Sequence, residues 1–425
     1  MKRIIYCGMM LTMLLQTACK KDYVNPNAAT DAQVFSSSQG LTGVAIGLQR
    51  VYTAGRASSL YNRTAINGLL TNELIVLNVG NTGEAQLQTG GGSVDGTNTL
   101  LGGLWTSSNK ILYDADRVLS GAATLGDKNY ASGLIAYSTI FKALALGDLA
   151  MFWEKVPTST GTGVSFADRT DGYNRAIAAI DAALAAVNAN AISSAFLANI
   201  PTGIDIVNTL YALKARYSLF VGNYAQALTT ANAVDLTKKS LFNFSTVNLN
   251  PIFETSTSTN NVYAIGDVNT LGLPAGLQPD PSDKRLPFYT TTSYASKIAG
   301  FGAGTVTPFP IYLPGEITLI KAEAYARQND LTNALVELNK VVTKQPSADP
   351  FGVGAGLPPL VGPLSQQQIL DQIYKQRSIE LFMSGLKLED MRRFGRPTAE
   401  RKRNFLPYPF QERDNNTNTP PDPLF

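Results

Sequence analysis

Apolar side chains recur at steps of three and four residues through most of the chain, the period of a helix with one buried face. The spacing predicts helices over residues 40–54, 105–122, 131–153 and 173–188. Leu41, Val44, Ala45, Leu48 and Tyr52 carry the first stripe, and Ile111, Leu112, Ala115, Val118 and Leu119 the second. Leu134, Ile135, Phe141, Leu144, Leu149 and Phe152 mark the third, and Ile177, Ile180, Leu184 and Val187 the fourth. Two stretches lose the period. Residues 71–103 are rich in Gly, Asn, Thr and Gln and are expected to form a long exposed loop, a length that in compact proteins often goes with function. Residues 236–313 hold many Pro, Asn, Thr and Gly, with Phe288, Tyr289, Tyr294, Phe301 and Tyr312 scattered among them. The whole pattern predicts a mostly α protein with long irregular loop insertions.

Two segments resemble tetratricopeptide helix–turn–helix units. In residues 210–234, Ala215 and Ala227 flank the turn Gly222-Asn223-Tyr224; in residues 317–342, Ala322 and Ala334 flank Asn329-Asp330-Leu331. Small residues twelve apart across a polar turn let two antiparallel helices approach closely. The copies are not in tandem, so they are expected to pack as scattered units of one bundle rather than as a solenoid.

Residues 369–393 form the most structured stretch. Ile369, Leu370, Ile373, Tyr374 and Leu381 share one helix face, and Arg377 falls on it as well. A buried guanidinium must be paired, and Glu380 is within helical reach. A structural ion pair between Arg377 and Glu380, with no catalytic role, is the expectation. Gly385 breaks the pattern, Leu388, Met391 and Phe394 begin a second stripe, and Gly395 and Pro397 end it.

Composition narrows the chemistry. A chain of 425 residues suits two or three domains or one large helical one, and 44% hydrophobic content makes it globular. Histidine is absent, which removes Ser-His-Asp and Cys-His catalysis, HExxH zinc sites and any histidine base. Carboxylate-pair chemistry stays open, but no pair stands out. Gly90-Gly91-Gly92 is not followed by Gly-Lys-Ser/Thr, so it is not a P-loop. No cofactor or metal is implied.

The start has the form of an export signal. Lys2 and Arg3 precede an apolar run over residues 4–15, too short to span a bilayer, and the run leads to Thr17-Ala18-Cys19. A small residue followed by Cys is the cut site of a bacterial lipoprotein signal. Residues 1–18 are therefore expected to be removed and Cys19 lipidated, with 19–38 as tether and lead-in and 19–425 as one domain. Cys19 would be the only cysteine left, and acylation accounts for an odd exported thiol. Two or more acyl chains hold a protein stably on a membrane, each buried methylene contributing about 0.8 kcal/mol. Loss of Lys2 and Arg3 lowers the formal charge from +3 to +1, so bulk charge implies no nucleic acid. The basic cluster of Arg392, Arg393, Arg396, Arg401, Lys402 and Arg403 is then expected to be a solvated face or a partner contact.

Several of these residues resemble the SusD/RagB-like outer-membrane nutrient-binding lipoproteins. Arg377, Glu380, Leu381, Gly385, Asp390, Met391 and Arg393 match that family's C-terminal signature, whereas Ser384 and Lys387 stand where it usually has Glu and Arg. The run Asn404-Phe405-Leu406-Pro407-Tyr408-Pro409, then Glu412, is similar to its Pro-rich close, and Pro314-Gly315-Glu316 opens a repeat like the family's own. The resemblance implies a SusD-like scaffold of tetratricopeptide-type helix pairs, anchored at the outer face of a Gram-negative outer membrane. It implies delivery of a captured oligosaccharide to a SusC-like TonB-dependent transporter, with no covalent chemistry. Arg377, Glu380, Asp390 and Arg393 would be structural. Asn78 and Asn81 in the first loop, and Arg285, Tyr289 and Tyr294 in the second, are the expected ligand contacts, since exposed rings and amides suit sugars. Residues 71–103 are poor in aromatics, which keeps a peptide ligand of the RagB kind as the alternative.

Overall fold

The computed structural model describes residues 30–258 and 261–425. The expected signal and Cys19 lie outside the described residues. The helices that carry the fold are α1 (Ser38–Thr53), α2 (Ser59–Leu70), α3 (Thr82–Thr89), α4 (Thr99–Thr124), α5 (Lys128–Phe152), α6 (Arg169–Ala189), α7 (Ile206–Phe220), α8 (Tyr224–Asn232), α9 (Pro314–Arg327), α10 (Leu331–Val342), α11 (Gln366–Glu380) and α12 (Lys387–Arg393). From α4 to α9 each helix packs on the next, and α9 then meets both α10 and α11. Side-chain caps start many of them: Ser37, Ser58, Asn98, Asp127, Asp205 and Ser365 each accept from a backbone N–H of the first turn. Helix α5 is apolar enough in length and composition to cross a membrane, yet it is buried along most of its length as the central rod of the core.

The two repeat units use one device. Gly222 and Asn329 take φ of +77° and +62°, and the residue after each, Asn223 and Asp330, caps the following helix. The N–H of Asn223 donates to Ser218 O and that of Asp330 to Tyr325 O, both at 2.9 Å. Ala215, Ala227, Ala322 and Ala334 are fully buried. The expectation of scattered units is corrected here. Helix α8 packs directly on α9, so the units stack like successive repeats and the intervening segment loops out between them.

That outlooped segment is irregular, as its composition predicts. Short antiparallel pairs fasten it. Strand β4 (Leu241–Phe242) pairs with β6 (Phe309–Pro310), and β5 (Tyr263–Ile265) reaches back to β1 (Leu74–Val76) with Leu74 opposite Ile265. A hairpin of β2 (Lys155–Pro157) and β3 (Phe166–Asp168) follows the central rod. Residues 71–103 are not the long exposed loop expected. They contain β1, α3 and the first turn of α4, and Leu74, Leu87 and Val94 reach the core.

Candidate functional site

The signature residues are structural, with partners other than those expected. Arg377 and Glu380 do not pair with each other. Arg377 Nε donates to Asp390 Oδ2 at 2.9 Å, and Arg393 links the same carboxylate to Glu323. Glu380 instead accepts from Arg285 Nη1 at 3.0 Å and Lys344 Nζ at 2.6 Å. Arg285 is fully buried, and its guanidinium is held by Asp283 on a second side and by Gln376. Tyr289 is 3% exposed, and its hydroxyl donates to Glu380 O at 2.6 Å. Both were expected to meet ligand. Both are closed off from it, because the outlooped segment docks on the signature helix through them.

Tyr294 behaves otherwise. It sits at the tip of a tight turn closed by Thr291 N donating to Lys297 O, it is 44% exposed, and its ring meets Phe253 edge-on at 6.0 Å. Strand β5 lies between this turn and the first loop: Ile265 N donates to Ser296 O on one edge, and Val262 O accepts from Leu77 N on the other. Along β1 and its continuation, Ile75, Leu77 and Val79 alternate outward with exposures of 39%, 41% and 75%. Asn78 and Asn81 follow at once. Asn78 Oδ1 accepts from Gly80 N and Asn81 Nδ2 donates to Asn78 O, each at 3.1 Å, so the amides shape the turn that carries them. Arg56 Nη2 donates to Asn81 Oδ1 at 2.9 Å and to Glu84 at 2.6 Å, and Tyr61 OH also donates to Glu84. Burial pushes the Tyr61 hydroxyl far up, so it stays a donor.

Asn78 and Asn81 thus lie on a turn at one edge of β5 and Tyr294 on a turn at the other, while Tyr289 and Arg285 are withdrawn into the interior. Arg56, Phe253 and the outward triplet Ile75, Leu77 and Val79 sit beside these turns and were not anticipated. Residues 74–77 form a continuous apolar run, so nothing in the sequence marks which of them turn outward, and Arg56 and Phe253 carry no local sign either. The arrangement has exposed apolar and aromatic surface beside amides and one cation. Glu84, beside it, is buried and accepts from both Arg56 and Tyr61. Among the described residues no group of three His, Cys, Asp or Glu side chains is placed to hold a metal ion.

The basic cluster is largely not a solvated face. Arg392 donates to Met151 O and Glu389, Arg396 pairs with Glu400, and Arg403 donates to the carbonyls of Val94 and Phe405. The Pro-rich close threads back across the core: Leu406 N donates to Phe152 O at 2.8 Å, and Trp153 Nε1 to Pro407 O at 2.9 Å. Trp153 is a core residue, fully buried.

Residues 291–422, which hold the signature and the close, match the model of the SusD family, SusD_RagB. Over that stretch the chain is similar to the SusD/RagB family. No curated protein matches it in sequence. Solved structures extend the likeness, in fold, to most of the chain. A SusD superfamily protein from Bacteroides vulgatus superposes with a TM-score of 0.71 at 15% identity, covering 91% of this chain and 99% of its own. One from Bacteroides thetaiotaomicron gives 0.70 at 15%, covering 91% and 100%. A laminarin-binding SusD-like protein gives 0.63 at 14%, covering 91% and 99%. At such identities the likeness concerns the SusD-like fold.

Proposed function

We propose that this chain is a lipid-anchored outer-membrane protein that captures oligosaccharide at the face around Tyr294 and passes it to a SusC-like TonB-dependent barrel, without turnover. The observation that carries the reading is that face: an exposed tyrosine at a turn tip, joined through β5 to a rigid Asn78 and Asn81 turn and an outward apolar triplet. A sugar stacks its C–H surface on a ring and satisfies its hydroxyls with amides. Similarity in fold to SusD-like proteins, one of them laminarin-binding, supports the ligand class. The apolar triplet gives the barrel a surface to close against, since an outward row of apolar side chains on a strand costs solubility unless something covers it. The anchor rests on the Ala18-Cys19 cut site.

Calorimetry against a glycan panel that includes laminarihexaose tests the capture step. At least one member is expected to bind, with Tyr294→Ala weakening it by about tenfold, the worth of one stacking contact. Heat from a peptide panel and none from the glycans would replace the ligand class. Leu77→Asp with Val79→Asp is expected to abolish co-purification of a barrel from membranes, and Cys19→Ala to move the protein out of the membrane fraction. A Cys19→Ala protein that stays with the membrane removes the anchor from the account.

A further inference from the structure

A second face of the molecule has the makings of a binding site, remote in the sequence from the Tyr294 turn. The outward side of α4 presents Thr99, Gly102, Thr106, Asn109, Tyr113 and Asp116 at steps of three and four, opposite the buried stripe. At 1.5 Å per residue that side runs about 25 Å. Three contiguous hollows of about 460, 340 and 430 Å³ lie along it. The first two share Thr106, Pro409 and Gln411, and the second and third share Ser159 and Thr160 of the hairpin loop. The result is one open trough, with the C-terminal segment as one bank of its first two hollows and the hairpin loop standing between the second and the third.

The lining selects a ligand class. Phe410 stands near one end, 56% exposed, and Tyr113 farther along, 50% exposed. Between them the side chains of Thr106, Gln411, Ser159 and Thr160 have no hydrogen-bond partner among the described residues, in a chain whose polar side chains are widely engaged. The charged side chains of the trough already have partners within the chain, although Glu412, held only by neutral donors, keeps its charge. Asp116 pairs with Lys142, Arg175 with Asp171 and the carbonyls of Pro157 and Thr158, and Glu412 accepts from Trp105 Nε1 and Asn416 Nδ2. What remains for a ligand is neutral hydroxyl and amide groups between two aromatic rings. We infer that the trough over α4 is a second oligosaccharide site, separate from the Tyr294 face, that holds a neutral glycan chain lengthwise between Phe410 and Tyr113. The inference rests on the capture reading for its ligand class, and the site is its own.

The chain has a built-in reporter for this site. Of its two tryptophans, Trp105 lines the trough and Trp153 packs edge-on against it at 4.9 Å, whereas the Tyr294 face holds neither. Intrinsic fluorescence titrated with laminarihexaose, maltoheptaose and xylohexaose therefore reads the trough, while calorimetry reads both faces. A saturable change in emission with at least one glycan is expected. Phe410→Ala or Tyr113→Ala should weaken it at least tenfold, and Tyr294→Ala should leave it unmoved. Gly102→Arg is the control for folding, because a Cβ there meets nothing within 4 Å and the outward helix side directs the rest of the side chain into the trough rather than the core. It should abolish the signal with an unchanged circular dichroism spectrum. Emission that stays flat for every glycan overturns the trough, and heat that persists in those titrations, lost in Tyr294→Ala, leaves the capture reading standing. A change that appears with peptides alone overturns the oligosaccharide assignment of the trough.

Discussion

At the scale of single residues, surroundings decide more than type. Gly315 and Gly43 are both helical glycines, yet their replacement by alanine should act in opposite directions. A Cβ at Gly315 would lie 1.8 Å from Glu380 Oε1, and that carboxylate is pinned by Arg285 and Lys344 and has nowhere to go. Gly315→Ala is expected to lose about 3 kcal/mol or more, through the buried charge network it displaces. A Cβ at Gly43 meets nothing within 4 Å, so Gly43→Ala should gain about 0.5–1 kcal/mol from helix propensity and a less free unfolded chain. Urea midpoints of the two variants, falling on opposite sides of the parent, check both. The same contrast explains a misreading. Glu380 lies within helical reach of Arg377, so local spacing names it as the partner. The fold supplies stronger partners from afar, Asp390 across the break at Gly385 and Arg285 from the looped-out segment. Spacing along a helix says who can meet within that helix and nothing about who arrives from outside it.

At the scale of elements, amphipathic helices were legible and fully enclosed ones were not. Helices α1 and α4 to α6 fall within a few residues of the boundaries their stripes predict. Helix α2 has no stripe because every one of its residues is buried, polar Asn62, Thr64 and Asn67 included, so no face is marked by contrast. The repeat turns were legible through Gly222-Asn223 and Asn329-Asp330, but their stacking was not, because the segment between the units hides the tandem order. One buried interaction holds that stack. Arg216 on α7 donates through Nε and Nη2 to both oxygens of Glu316 on α9, at 2.6 and 2.7 Å, with both side chains almost wholly enclosed. Glu316→Ala strands the guanidinium and should cost about 3–5 kcal/mol. Replacing both, Arg216→Met with Glu316→Leu, should recover most of that loss, because the desolvation of two charges disappears together with their attraction. A double-mutant cycle by thermal denaturation measures it; a double variant no more stable than Glu316→Ala would deny the pair its part in joining the units.

At the scale of the whole molecule, distant parts of the chain meet around buried charge, and pH is the variable that reads them together. Glu73, at the entry to β1, lies 1% exposed near Lys387 of α12, where the signature departs from its usual Arg. Burial pushes its carboxyl from 4.5 up to about 7, against the pull of the lysine. Asp148 of the central rod, beside Arg63 of α2, is pushed by burial up to about 6. Both shifts run opposite to that of a carboxylate stabilised by its partners. Well below the unfolded values of 4.5 for Glu73 and 3.8 for Asp148, each group is protonated in folded and unfolded chain alike and contributes no difference. Between about 4.5 and 7 the folded chain keeps the Glu73 proton while the unfolded chain releases it, so stability falls as pH rises through that window. Above pH 7 the loss is complete, on the order of 3 kcal/mol for Glu73. The protein is therefore expected to be more resistant to urea at pH 5 than at pH 8. Glu73→Gln should flatten most of that slope, matching the parent at pH 4 and exceeding it at pH 8, because a neutral amide never has to be charged in the core. A Glu73→Gln variant that is less stable than the parent at pH 8 would mean that the carboxylate and Lys387 attract each other more strongly than burial penalises them, and that the departure at Lys387 gains an ion pair rather than tolerating a buried one.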